Sequence, residues 1–122
     1  TEAKASTLDW VFEHTGSNVK TRIISNNVNT NKNLVSFKKV AVFHNILYKN
    51  SLGSIEFKDL FKVYPTISPK VIPTIINEFG IQFLLLDKMR IERDELVEME
   101  QQLNDFEIIA EQGQNVLYKI KQ

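Results

Sequence analysis

The chain has 122 residues with 15 Lys and Arg, 15 Asp and Glu, two His and no Cys, so its formal net charge is zero. A chain of this length suggests one domain that buries roughly two-thirds of its unfolded surface without disulfides. The absence of Cys excludes a disulfide scaffold, a thiolate zinc site and a Cys nucleophile. The zero net charge argues against binding of nucleic acid by bulk charge.

Composition divides the chain into two segments. Residues 1–6 are polar and small and predict a linker or disordered start, and residues 7–122 predict a single α/β domain. Because the sequence begins at Thr1, we interpret it as a processed protein or an excised piece of a larger one. The longest apolar runs have four residues, far fewer than the ~20 that span a bilayer.

Local patterns in the first half predict a helix, a strand and a loop. Residues 7–15 repeat apolar side chains at helical spacing, and Val19 to Ser25 favours a strand. Five Asn fall within residues 26–33, which predicts an exposed loop because Asn satisfies its own backbone in turns. Three further predictions cover a strand near residues 40–43, a loop at 45–53 and a short helix at 55–64.

The second half contains the clearest patterns. Ser68 and Pro69 predict a helix start, an apolar stripe at positions 72, 75, 76 and 79 follows, and Gly80 predicts its end. The next predicted elements are a strand over 81–87 and a helix over 91–104, whose positions 96, 99 and 103 face inward. Two strands, over 106–111 and 116–120, complete the order. Gly113 and Asn115 favour a hairpin turn between those last strands.

This order predicts an α/β fold. We expect a layered sheet of about four to five strands with a mostly parallel centre, helices packed on it, and an antiparallel C-terminal hairpin at its edge.

Charge is unevenly spread along the chain. Residues 14–55 contain six Lys and Arg and no acid, whereas residues 87–111 contain nine acids and three cations. A basic surface facing phosphate or an anionic membrane is one interpretation, and ordinary solvated faces are the other.

The candidate site residues come mostly from strand ends. Asp87 and Lys88 lie where the central strand should end, the position at which open α/β sheets bind ligands, although Asp87 could instead cap the following turn or pair with a neighbouring cation. His44 follows an apolar strand, and Trp10 lies at the margin of the first helix face, where it could stack on a sugar or pack at the core. The candidate binding residues are Asp87, Lys88, His44, Lys38, Lys39 and Trp10. We identify no catalytic or metal-ligating residue and expect no cofactor.

One enzyme pattern is present but incomplete. Glu56 and Lys58 match the Glu-x-Lys of a nuclease metal site, which needs a second carboxylate from a preceding strand. No acid occurs among the 42 residues before Glu56. A small nuclease or hydrolase that uses Glu56 or Asp87 is therefore the weakest of the functions considered.

Both ends of the chain resemble a known domain. Residues 8–15 (LDWVFEHT) are similar to the helix that opens the soluble domain of protein-mannosyltransferase-like, multi-pass membrane glycosyltransferases. Residues 79–88 (FGIQFLLLDK), then FEII at 106–109 and VLYKI at 116–120, resemble the end of that domain. The resemblance covers residues 7–25 and 75–120 and departs from the family at His14 and Asp87, where the family often has Asn and His.

The resemblance implies an α/β domain that is extracytoplasmic and tethered to a membrane region of the same protein. The catalytic acids of such enzymes lie between membrane helices, so the implied role here is non-catalytic help in recognising an acceptor glycan or a lipid-phosphate sugar. The alternative is a stand-alone cytoplasmic α/β module that binds a protein or nucleic acid through residues 20–49. A steep salt dependence of nucleic-acid binding would favour that alternative.

Overall fold

The described residues form a five-stranded mixed sheet covered by helices on both faces. The computed structural model describes residues 5–16, 21–36, 40–41, 66–103 and 105–121. Its strands are β1 (Arg22–Ser25), β2 (Val40–Ala41), β3 (Phe83–Asp87), β4 (Phe106–Gln112) and β5 (Asn115–Ile120). Its α-helices are α1 (Ala5–Thr15), α2 (Val28–Ser36), α3 (Ile72–Phe79) and α4 (Arg93–Gln102), and a short 3-10 helix spans Lys88–Arg90.

The strand order is β2-β1-β3-β5-β4. β1 pairs in parallel with both β2 and β3, whereas β5 pairs antiparallel with β3 and with β4. The predicted α/β class and the antiparallel hairpin at the edge are therefore confirmed. The centre is only partly parallel, because β5 of the hairpin inserts between β3 and β4.

Alternate residues of the strands face two separate apolar cores. Leu84 and Leu86 lie in one core with α3 and α4, while Leu85 lies in the other core with Leu8 and Val11 of α1. This alternation follows from the period of two in a β-strand. The unbroken apolar run of β3 reflects a strand that is covered on both faces.

The ends of α3 follow the local sequence closely. Pro73 is the second residue of the helix, where a missing N–H breaks no helical hydrogen bond. The regular helix therefore starts at Ile72, later than the start predicted at Ser68. Gly80 ends the helix with φ of 60°, and its N–H donates to the carbonyl of Ile76. The stripe predicted for this helix is buried at Ile72, Ile75 and Ile76.

The largest error of the sequence analysis concerns residues 26–33. These residues were predicted as an exposed loop, but α2 begins at Val28, and four polar residues of the segment are buried, namely Asn26, Asn27, Thr30 and Asn31. The side-chain amides of the three Asn residues bond to backbone groups of β1, α2 and β3, which local propensity does not reveal. Leu34, fully buried against β1, anchors the helix.

The other elements agree with their predictions to within a few residues. The first helix begins at Ala5, and the fourth helix, predicted over 91–104, occupies Arg93–Gln102 with Met99 and Leu103 buried. The loop at 45–53 and the helix at 55–64 fall outside the described residues. No helix in the described ranges is long and apolar enough to cross a membrane.

Candidate functional site

A buried polar cluster lies at the carboxyl ends of β1 and β3. Asp87 is the last residue of β3, and Asn26 and Asn27 directly follow β1. The parallel pairing of Ile24 with Leu84 brings these two strand ends to the same edge of the sheet. We call this group the switch-point cluster, and it comprises Ser25, Asn26, Asn27, Asn31 and Asp87.

Asn26 joins the two strand ends. Its side-chain Oδ1 accepts a hydrogen bond from the backbone N of Asp87 at 2.7 Å, and its Nδ2 donates to the backbone O of Asp87 at 3.0 Å. The side-chain amide of Asn26 thus makes the two hydrogen bonds to β3 that a further backbone peptide of β1 would make. Its own backbone O accepts from the N of Ile67 at 2.8 Å, so Asn26 also connects β1 to the segment before α3.

The carboxylate of Asp87 faces inward and accepts from two donors. Its Oδ1 accepts from the backbone N of Met89 at 3.0 Å and caps the 3-10 helix, and its Oδ2 accepts from Nδ2 of Asn27 at 3.3 Å. The residue is only 8% exposed. Of the interpretations left open by the sequence, the cap is observed, while ligand binding by Asp87 stays a prediction.

The remaining members of the cluster fix the start of α2. Asn27 Oδ1 accepts from the backbone N of Asn29 at 3.0 Å and of Thr30 at 3.3 Å, which satisfies two free N–H groups of the helix. Asn31 Oδ1 accepts from the N of Ser25 at 2.7 Å, and its Nδ2 donates to the O of Ser25 at 2.8 Å. Asn31 therefore pairs with the end of β1 as a neighbouring strand would.

The cluster occupies the topological switch point of the sheet. The chain leaves β1 toward β2 on one side, and it leaves β3 toward β4 and β5 on the other. Open α/β sheets bind ligands at this position. Here the position is filled by side chains that satisfy one another, and no buried side-chain nitrogen or oxygen among the described residues is without a partner.

Lys88 lies just outside the cluster, on the surface. Its backbone N donates to the O of Gln114 in the β4-β5 turn at 2.8 Å, and its Nζ lies 3.7 Å from Oε1 of Glu111. Both side chains of this ion pair are exposed, at 42% and 58%. An exposed pair of this kind adds little to stability, so the ammonium group remains available to other anions.

Trp10 lies on α1, away from the switch-point cluster. It is half-buried and packs at the rim of the core formed by Leu8, Val11 and Leu85. Its ring centroid is 5.3 Å from that of the exposed His14, whose Nδ1 donates to the carbonyl of Trp10 at 2.9 Å. The predicted margin position of Trp10 is confirmed, and its ring partner His14 is exposed.

The structure does not bring all the predicted residues together. Asp87 and Lys88 are neighbours at the sheet edge, and Trp10 belongs to a separate surface on α1. Lys38, Lys39 and His44 fall outside the described residues, as do Glu56 and Lys58 of the nuclease-like pattern. Within the part of the chain that the structure describes, no three His, Asp or Glu side chains form a group that could hold a metal ion.

One partly buried polar contact was missed by the sequence analysis. The hydroxyl of Tyr118 donates to Oε2 of Glu100 at 3.3 Å, which connects β5 to α4. Burial, followed by the nearby carboxylates of Glu100 and Glu111, raises the pKa of the Tyr118 phenol well above its ordinary value. The VLYKI pattern predicted a strand, but nothing local indicated an acid 18 residues away as the partner.

A small cleft separates α4 from the turn before α3. Its lining includes Lys70, Glu98 and the buried Met99, and its volume of about 40 Å³ suits a few water molecules rather than a sugar.

No protein-family model, curated protein or solved structure matches the chain. The candidate sites therefore rest on the chemistry of their own residues.

Proposed function

We propose that this chain is a non-catalytic, extracytoplasmic domain of a membrane-anchored, glycosyltransferase-like protein, where it assists recognition of an acceptor or a lipid-linked donor. Its partners would be the membrane-embedded remainder of the same protein and a lipid-phosphate sugar or a glycan. The proposal starts from the resemblance of residues 7–25 and 75–120 to such domains.

The observation that carries the proposal is that these two segments pack as one unit. β1 of the first segment pairs with β3 of the second through Ile23 with Phe83 and Ile24 with Leu84. α1 of the first segment shares a core with Leu117 of β5. The two segments that resemble one domain are separated by residues 26–74 in the sequence. They are thus also neighbours in space, as parts of one domain must be.

The hydrogen bonding of Asp87 supports a non-catalytic role. A catalytic carboxylate must reach a substrate, whereas both oxygens of Asp87 accept hydrogen bonds from the protein and the residue is 8% exposed. Its role in the fold is to end β3 and to start the following turn.

The proposal is tested by measuring kcat and KM for sugar transfer by the full-length protein in its native membrane. We expect Trp10→Ala to raise KM for the acceptor or the lipid-linked donor by ~3- to 10-fold, because it removes an aromatic stacking surface, with little change in kcat. The matched control is Asp9→Asn, an exposed neighbour on α1. Unchanged KM for every substrate in Trp10→Ala would contradict the proposed recognition role.

Asp87→Asn tests the non-catalytic part separately. The substitution keeps the shape and the acceptor for Met89 and loses the acceptor for Asn27. We expect kcat within about two-fold of the original when the domain remains protease-resistant. Asp94→Asn, at an exposed position of α4, is the control. Loss of kcat in a folded Asp87→Asn protein would assign catalysis to this chain and overturn the proposal.

A further inference from the structure

The outer edge of the sheet is formed by β4, the last strand in the order. The N–H of Ile120 donates to the carbonyl of Gln82 beside β3, so it points away from β4. Phe106 lies opposite Ile120 and therefore directs its own N–H and C=O away from β5. The same holds for Ile108, two residues further along the strand. Among the described residues, no strand lies beyond β4 to pair with these groups.

The face of β4 that lies toward α4 carries an exposed apolar side chain. Ile108 lies opposite Tyr118 in the pairing of β4 with β5, so the two side chains share one face of the sheet. The Tyr118 hydroxyl donates to Glu100, so this is the face on which α4 packs. Ile108 is nevertheless 51% exposed, and Val97, one turn before Glu100 on α4, is 47% exposed. An apolar side chain placed beside β4 would cover Ile108, which the fold leaves half open.

The same face of the sheet carries two carboxylates. Glu111 lies opposite Val116, two residues before Tyr118 in β5, so its side chain is on the face of Tyr118. Burial, followed by the carboxylates of Glu100 and Glu111, raises the pKa of the Tyr118 phenol. The charged groups that act on this point of the face are both acidic, so an incoming cation is attracted to it.

The cations near this edge leave room for another one. Lys88 lies 3.7 Å from Glu111, in an exposed pair that exchanges easily. Lys119 lies opposite Glu107, and both are on the other face of the sheet, because alternate residues of a strand face opposite sides. Arg93 is the first residue of α4, two turns before Glu100. A Lys or Arg of a partner can therefore replace Lys88 beside Glu111.

A second copy of the chain is a poor partner for this edge. Antiparallel pairing of Phe106 with Ile108 of the copy would place Glu107 opposite its own equivalent, and like charges directly opposite destabilise a sheet. The β-bulge between Ile108 and Ala110 also interrupts regular pairing beyond Ile108. The edge therefore fits a short strand of a different chain rather than a long strand of its own kind.

We propose that β4 binds an extended peptide of a partner protein, which adds to the sheet as a further strand. The peptide backbone pairs with the outward N–H and C=O groups of Phe106 and Ile108. An apolar side chain of the peptide packs on Ile108, and a Lys or Arg two residues away, on the same face, meets Glu111. The proposed recognition role does not involve this partner, so either proposal can fail without the other.

Fluorescence anisotropy of a labelled peptide tests this proposal with the chain as it stands. The probe is Thr-Lys-Thr-Val-Thr-Lys-Thr, whose symmetry places a Lys two residues from Val in either strand direction. We expect saturable binding that weakens with rising salt. Ile108→Ser should raise Kd by about ten-fold, and Glu111→Gln by about three-fold. The matched controls are Met89→Ser, at another exposed apolar residue, and Glu107→Gln, on the other face of β4, and both should leave Kd unchanged.

A second probe isolates the backbone contribution without changing the protein. The same peptide N-methylated at Val and at both Lys cannot donate to the edge, and we expect it not to bind. Absence of binding by the first peptide, binding by the methylated one, an unchanged Kd in Ile108→Ser, or an equal loss in Glu107→Gln and Glu111→Gln would each overturn the proposal. Self-association in sedimentation that Ile108→Ser abolishes would assign the edge to a second copy and would also overturn it.

Discussion

The side-chain amide of Asn26 bonds to both backbone groups of Asp87, at 2.7 Å to its N and 3.0 Å to its O. These residues are 61 positions apart, and both are buried. The amide continues the ladder between β1 and β3 past the end of β1, and it holds Asp87 where its carboxylate caps the next turn. Both backbone groups at the end of β3 thus have a partner although β1 has already ended.

Asn26→Ala should be among the more destabilising polar substitutions in the described residues. It leaves the N–H and C=O of Asp87 buried without a partner, and each such group costs ~1–3 kcal/mol. We expect the free energy of unfolding, measured by urea titration, to fall by about 2–4 kcal/mol. Asn77→Ala, at an exposed position of α3, is the matched control and should change stability by less than ~0.5 kcal/mol.

Tyr118 should make stability fall at alkaline pH. The phenol loses its proton at about pH 10 in the unfolded chain, whereas burial and the carboxylate of Glu100 raise its pKa in the folded chain. Stability from this group is therefore complete below pH ~10 and is lost as pH rises above it. In Tyr118→Phe this part of the loss should be absent.

The same variant tests the hydrogen bond to Glu100. At neutral pH, Tyr118→Phe should reduce the free energy of unfolding by roughly 0.5–1.5 kcal/mol. Urea titrations of both proteins at several pH values give the two effects in one experiment. If the free energy of unfolding of the variant and of the original chain changed with pH in parallel, the assigned role of the phenol would be contradicted.

Gly80 should be difficult to replace because of its backbone angle. Its φ is 60°, and a Cβ added there would lie 3.7 Å from the Arg22 guanidinium, an ordinary contact, so the cost comes from the left-handed conformation. We expect Gly80→Ala to lower stability by ~1 kcal/mol, and Gly80→Asn to cost less because Asn tolerates this region. If thermal unfolding showed the same loss of stability in Gly80→Ala and Gly80→Asn, side-chain crowding would be the cause instead.

Strong local patterns made much of the fold predictable. The apolar run of β3, the stripe of α3 and the Gly80 stop each depend on neighbours in sequence, and all three are confirmed. The exposed loop predicted over residues 26–33 was wrong because Asn26 and Asn31 were assumed to satisfy their own backbone. Their actual partners are Asp87 and Ser25, and an amide that substitutes for a strand cannot be recognised from composition.

The candidate site was predictable only in part. Asp87 was identified by its place at a strand end, but its engagement by Asn27 and Met89 depends on the pairing of β1 with β3. The exposure of Met89 could not be predicted from the sequence, because it depends on the three-dimensional turn after β3.

Single-cysteine labelling of the full-length protein in intact cells tests the central claim most directly. Gln101 is exposed on α4 and Met99, two residues before it, is buried, so Gln101→Cys and Met99→Cys form a matched pair in a chain that has no Cys of its own. If the domain is extracytoplasmic, we expect a membrane-impermeant maleimide to label Gln101→Cys in intact cells. The same reagent should label Met99→Cys only after unfolding. Labelling of Gln101→Cys only after the membrane is permeabilised would contradict the account.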